Sequence, residues 1–149
     1  ATQDLGMPML AGDTWDSNVI TEAAKGKSNI DLYVTTFYQE GGNAEFDAAF
    51  KEWINSDSTN LTNNNGNDMI AAVSVMGYDA YYVALEALKA AGSTNPADVM
   101  TALWDVTYDG ITGHIAFDDE NGDAVRDLAY VKHCNTETGA WDLVGEQGV

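Results

Sequence analysis

Met9-Leu10-Ala11-Gly12-Asp13-Thr14-Trp15-Asp16-Ser17 decides the reading. The apolar run from Met7 to Ala11 has the length of a buried strand and stops at Gly12. Ser17 has the chemistry of an N-cap, and the residues after it predict a helix over 18–25. The nine residues from Ile30 to Tyr38 are rich in β-branched and aromatic types and predict a second strand. Strand, helix and strand within about 30 residues make a βαβ unit with parallel strands. Between the first strand and its helix lies a loop with two carboxylates, a hydroxyl and an indole. In open α/β sheets, ligands bind where strands end in such loops. Gly12 is expected to turn the backbone. Asp13 then stands at the strand tip as a partner for an ammonium group, with Trp15 offering a ring face or an apolar wall. The plainer reading is that Asp13 only turns the chain and Trp15 belongs to the core.

The rest of the chain divides by pattern. Ala44–Ile54 reads as a helix with Phe46, Ala49, Phe50 and Trp53 on its apolar face. Residues 55–67 are Asn, Ser, Thr, Asp and Gly in the main and read as a surface loop, with a formal glycosylation sequon at Asn60-Leu61-Thr62. Asp68 reads as the cap of a long helix, Met69–Ala91. Its apolar face runs through Met69, Ala72, Val73, Met76, Ala80, Val83, Ala84, Ala87, Leu88 and Ala91, and Gly92 ends it. Asn95 or Thr94 caps a further helix with Pro96 at its start. From Tyr108 the pattern turns to short strands: 113–117, 128–134 and 140–144, with a tight acidic turn at 118–123.

Composition narrows the function classes. The 149 residues carry 24 acidic and 6 basic side chains, a formal charge of -18. That argues against nucleic acid and anionic membrane surfaces, which need clustered Lys and Arg. The charge suits a cationic or zwitterionic ligand, a salty or exposed setting, or solubility, and its spread along the whole chain favours solubility. A single cysteine, Cys134, forbids an internal disulfide and reads as a small core residue. No apolar run reaches membrane-spanning length, and the opening Ala-Thr-Gln-Asp-Leu-Gly does not read as a secretory leader.

Enzyme signatures fail on spacing. Aligned on Gly122, an EF-hand loop would need ligands at Phe117 and Leu128, and neither side chain binds calcium. His133 and Cys134 are strand neighbours and point to opposite faces, so they do not form a catalytic pair. Zinc spacings, a phosphate-binding glycine loop and a nucleophile elbow are all lacking. An α/β phosphoacceptor or enzyme domain using Asp13, with Thr36 at a second strand end, remains as an alternative. It lacks a strand-end Lys, since Lys132 lies inside its strand.

Several segments in order carry a family resemblance. They are Leu10-Ala11-Gly12-Asp13-Thr14-Trp15, then Tyr33-Val34-Thr35-Thr36-Phe37-Tyr38, then Gly77-Tyr78-Asp79-Ala80 with Ala87-Leu88-Lys89-Ala90-Ala91-Gly92. Gly110-Ile111-Thr112-Gly113-His114-Ile115-Ala116-Phe117-Asp118 and Gly122-Asp123 complete the set. Together they resemble the C-terminal part of the branched-chain amino acid (Leu/Ile/Val) binding proteins, the extracytoplasmic receptors of ABC importers. The resemblance implies an α/β, type I periplasmic-binding-protein-like fold: a βαβ unit, three further helices and a C-terminal β-hairpin region. It implies two lobes, with 1–38 and about 124–149 in the second and about 39–123 in the first and in the hinge crossings. It implies that Asp13, often Glu in the family, binds the ammonium of an amino acid held in an interlobe cleft. Thr14 and Trp15 line that cleft, with part of 71–73 nearby. It calls for no cofactor, no metal and no catalysis. The implied partners are a small-molecule amino acid, a transporter permease and the N-terminal lobe of the same protein. A ligand-sensing receptor domain is the close alternative. With no sheet beneath its apolar face, the long helix is expected to associate, as in a homo-oligomer.

Overall fold

A computed structural model describes residues 6–148. The opening stretch read above for a leader begins outside them. The chain divides into two units: residues up to Val73 with Ala129–Gln147, and Ser74–Leu128 with Gly148 onward.

The first unit is built on the βαβ element. Strand β1 (Met9–Ala11), helix α1 (Asn18–Ala24) and strand β2 (Leu32–Thr36) follow in order, and Met9, Leu10 and Ala11 pair in parallel with Leu32, Tyr33 and Val34. Ser17 caps α1 by accepting the Val19 N–H at 3.2 Å. Along β2 the side chains alternate: Leu32, Val34 and Thr36 are buried, while Tyr33 and Thr35 are half-buried. Strand β6 (Leu128–Asn135) lies antiparallel on the other side of β2, with Lys132 opposite Val34, and β7 (Ala140–Gly148) completes the order β1-β2-β6-β7. Asn135 shapes the β6–β7 turn by accepting the N–H groups of Glu137 and Thr138. Ala24, Leu32 and Cys134 form the core here, with Met9, Ala11, Ile20, Ile30 and Trp141 packed against them.

Helix α2 (Ala44–Asn55) is capped by the Asn43 side chain, which accepts the Phe46 N–H at 3.0 Å. Its buried residues are Phe46, Asp47 and Ile54, and Trp53 is 57% exposed. The expected face through Ala49 and Trp53 is thus rotated. Asp47 is drawn inward by the Tyr38 hydroxyl at 2.5 Å and the Gly41 N–H at 2.6 Å, and the helix turns with it. The same bonds hold α2 to the end of β2. The expected loop at 55–67 holds a short helix, α3 (Ser58–Asn63), capped by Asp57 onto the Thr59 N–H at 2.6 Å. It buries no residue, so apolar periodicity had nothing to register.

Helix α4 (Ala72–Ala91) starts three residues later than Asp68 predicted. Asp68 accepts from the Asn55 amide instead, and the Met69 N–H turns to the Asn67 side chain at 3.1 Å. In the second unit, α4 is followed by α5 (Pro96–Leu103), capped by Asn95, and by strands β3 (Tyr108–Gly110), β4 (Gly113–Phe117) and β5 (Ala124–Val125) in an antiparallel sheet of that order. Val83, Ala87, Val106 and Ile115 form its core, with Val99, Leu103, Tyr108 and Phe117 around them. The inward stripe of α4 is Ala72, Val75, Asp79, Val83 and Ala87; Val73, Ala80, Ala84 and Leu88, also expected inside, are exposed. The acidic turn forms as read: Asp118 Oδ1 accepts the Glu120 and Asn121 N–H groups, and Gly122 takes φ +76°. No helix among the described residues is long and apolar enough to cross a membrane.

Candidate functional site

The end of β1 feeds a single 3-10 turn over Asp13–Trp15. Gly12 is extended (φ -79°, ψ -179°) and a Cβ there would meet nothing within 4 Å, so the turn does not depend on its being glycine. The bend comes from hydrogen bonds: Trp15 N–H to the Gly12 carbonyl at 3.1 Å, Asp16 N–H to Asp13 at 2.9 Å, and Ser17 N–H to Trp15 at 2.8 Å. These bonds satisfy the backbone between strand and helix and push three side chains outward together. Asp13 is half-buried, and Thr14 and Trp15 are exposed. Trp15 keeps 47% of its surface, which overturns its reading as core. Among the described residues no side chain hydrogen-bonds or pairs with the Asp13 carboxylate. The turn therefore presents a free anion, a hydroxyl and an indole at the carboxyl end of a parallel strand, where α/β sheets place ligands.

The next residue, Asp16, was passed over by the sequence reading. It is 1% exposed. Its Oδ2 accepts from the Thr36 hydroxyl at 2.8 Å, the Lys132 ammonium at 3.0 Å and the Ala72 N–H at 3.3 Å. Lys132 is 2% exposed. A lysine on the same face of its strand as buried Cys134 was the available signal, because a buried ammonium requires a buried counter-charge. Thr36 and Lys132, the groups a phosphoacceptor would set beside Asp13, are thus engaged with a different carboxylate that solvent does not reach. His133 lies 3.1 Å from Asp31 on the outer face while Cys134 faces inward, so these two neighbours diverge as strand geometry requires. His114 pairs with Asp109 at 2.6 Å, also at the surface.

The model of a family described as periplasmic binding protein matches residues 2–138. The chain belongs to the periplasmic binding protein family. Solved structures are similar to it. The leucine-binding protein LivK of Thermotoga maritima aligns with a TM-score of 0.71 at 27% identity, over 97% of this chain and 39% of its own. An ABC transporter substrate-binding protein of Desulfitobacterium hafniense, solved with Leu, gives 0.60 at 25% identity, over 94% and 36%. A solute-binding protein of R. palustris, solved with benzoate, gives 0.66 at 19% identity over 97% and 37%, and shares the fold. Metabotropic glutamate receptor-like protein E of Dictyostelium discoideum is 31% identical over 91% of this chain and 17% of its own. This periplasmic binding protein chain therefore spans at most 39% of these relatives. Both the type I periplasmic-binding-protein fold and the resemblance to branched-chain amino acid binding proteins stand.

Proposed function

We propose that this chain is part of the extracytoplasmic substrate-binding component of an ABC importer for amino acids, of the branched-chain or a similar class. The observation that carries the proposal is the Asp13 carboxylate at the β1 tip, unpaired among the described residues and flanked by exposed Thr14 and Trp15. Asp13 receives the ligand's ammonium, Trp15 supplies an apolar wall for its side chain, and Thr14 adds a hydrogen bond. The ligand is held and passed to a permease; nothing is done to it chemically. On this reading residues 1–38 and about 124–149 belong to the second lobe and about 39–123 to the first lobe and the hinge crossings, and the remaining part of the first lobe is a further partner. Similarity to a leucine-binding protein and to a substrate-binding protein solved with Leu supports the ligand class.

The 31% identity to a receptor-like protein favours a second reading, the ligand-sensing domain of a receptor with the same fold. The two differ in attachment. An importer component is released and docks on its permease, whereas a sensing domain is continuous with a membrane receptor, so the mass of the mature polypeptide separates them.

The binding test is calorimetric titration of the intact protein with L-leucine, L-isoleucine, L-valine and L-glutamate. Uptake of one of these, weakened about tenfold or more by Asp13→Ala, is the expected result, since the ion pair is desolvated on binding. Uptake that Asp13→Ala leaves unchanged would place the ammonium elsewhere.

A further inference from the structure

Asp16 adjoins the turn that presents the three proposed ligand contacts, yet it is itself closed to ligand and solvent. Its N–H closes that turn on the Asp13 carbonyl at 2.9 Å. Its carboxylate gathers donors from three distant parts of the first unit: Thr36 at the end of β2, Lys132 in the middle of β6, and Ala72, the first residue of α4. Among the described residues the other carboxylate oxygen, Oδ1, is buried without a hydrogen-bond partner. A buried ion pair is a poor device for stability, because desolvation of both charges offsets their attraction. What it does fix is geometry: one oxygen atom sets the position of four segments relative to one another.

We propose that Asp16, held by Lys132 and Thr36, is the positioning residue of the ligand turn. It keeps Asp13–Trp15 in the 3-10 conformation and ties that turn to the start of α4, just before the chain passes from the first unit to the second. The role in binding rests on the reading of Asp13, Thr14 and Trp15 as ligand contacts. The effect on the turn does not, and is measured without ligand.

The test is amide hydrogen exchange on the intact protein for two variants, with thermal unfolding alongside. The double variant Asp16→Asn/Lys132→Met removes both charges and leaves no unpaired ion. Thr36→Val removes one donor and keeps its shape. The Trp15, Asp16 and Ser17 amides should exchange about tenfold faster in both, while the α2 amides and the unfolding midpoint stay close to the parent's. Where the parent binds L-leucine, both variants should bind it at least about tenfold more weakly at that nearly constant stability. Unchanged exchange at these three amides in the variants overturns the proposal. So does faster exchange spread evenly over the first unit, which would make Asp16 an ordinary core group. Faster exchange confined to the turn, with no uptake of any amino acid by the parent, supports the positioning role and counts against the ligand reading alone.

Discussion

Thr112 gives Asp79 two hydrogen bonds on one oxygen: its N–H at 2.8 Å and its hydroxyl at 2.6 Å both reach Oδ2. The other oxygen takes the Ile111 N–H at 2.9 Å. Asp79 is 0% exposed and sits on the inward stripe of α4, so it fastens that helix to the β3–β4 turn. Arg126 donates to the same Thr112 hydroxyl at 2.7 Å and places a positive charge nearby. Asp79→Ala strips three donors of their acceptor and should cost about 3 kcal/mol, read from urea unfolding.

Gly110 belongs to the same arrangement. A methyl group there would lie 2.5 Å from Asp79 Cγ and 2.6 Å from Oδ2. The carboxylate cannot retreat without losing its bonds. Gly110→Ala should therefore destabilise by about 2 kcal/mol or more, while Gly12→Ala, where a Cβ meets nothing, should be nearly silent in the same assay.

These residues mark where sequence pattern stops being informative. The βαβ unit was legible because each signal in it is local: a hydroxyl before a helix, then a β-branched run. The far side of α4 was not. Periodicity treats Ala80, Ala84 and Leu88 as interior and Asp79 as exterior, but a buried carboxylate is decided by Thr112, 33 residues away in the chain. Helix α3 escaped for the opposite reason, as it buries nothing at all. In the candidate site, Asp13 and Trp15 were read from their place at a strand tip, and Thr14 from the family resemblance. Asp16 was not, since its partners come from residues 36, 72 and 132.

Tyr38 gives the chain an alkaline sensitivity. Burial, and then its hydrogen bond to Asp47, push its hydroxyl well above the ordinary value of 10.0. In the unfolded chain the phenol loses its proton near pH 10; in the folded chain it keeps it. The folded state is thus favoured fully below about pH 10 and progressively less above it, because there the unfolded state binds fewer protons. The urea midpoint should fall progressively as the pH rises above about 10, and Tyr38→Phe should flatten that fall. At neutral pH the same variant should lose about 2 kcal/mol, as buried Asp47 forfeits a donor.

Cys134 is 1% exposed and packs with Ala24 and Leu32. Burial, with a smaller contribution from the charge of Asp142, raises its thiol above 9.0, so the nucleophilic thiolate is suppressed. Iodoacetamide should label it at the rate of unfolding in native buffer and within minutes in about 6 M urea. Rapid labelling of the native protein would mean that β6 and β7 separate from α1 far more often than their packing allows.

The outer side of α4 carries the last prediction. Ala80, Tyr81, Ala84 and Leu88 follow the helical period on a face turned to solvent, with Tyr81 65% and Leu88 40% exposed. Val73, 65% exposed, continues the line toward the helix start. A contiguous apolar stripe of this kind associates when a second surface is within reach. Light scattering of the isolated chain should show a mass above that of one copy, rising with concentration. Tyr81→Glu/Leu88→Glu should return it to one copy, because covering two such side chains contributes about 2 kcal/mol each. Circular dichroism should stay unchanged, as neither residue reaches the core around Val83 and Ala87. A single-copy mass at every concentration would mean that this stripe is stable in water by itself.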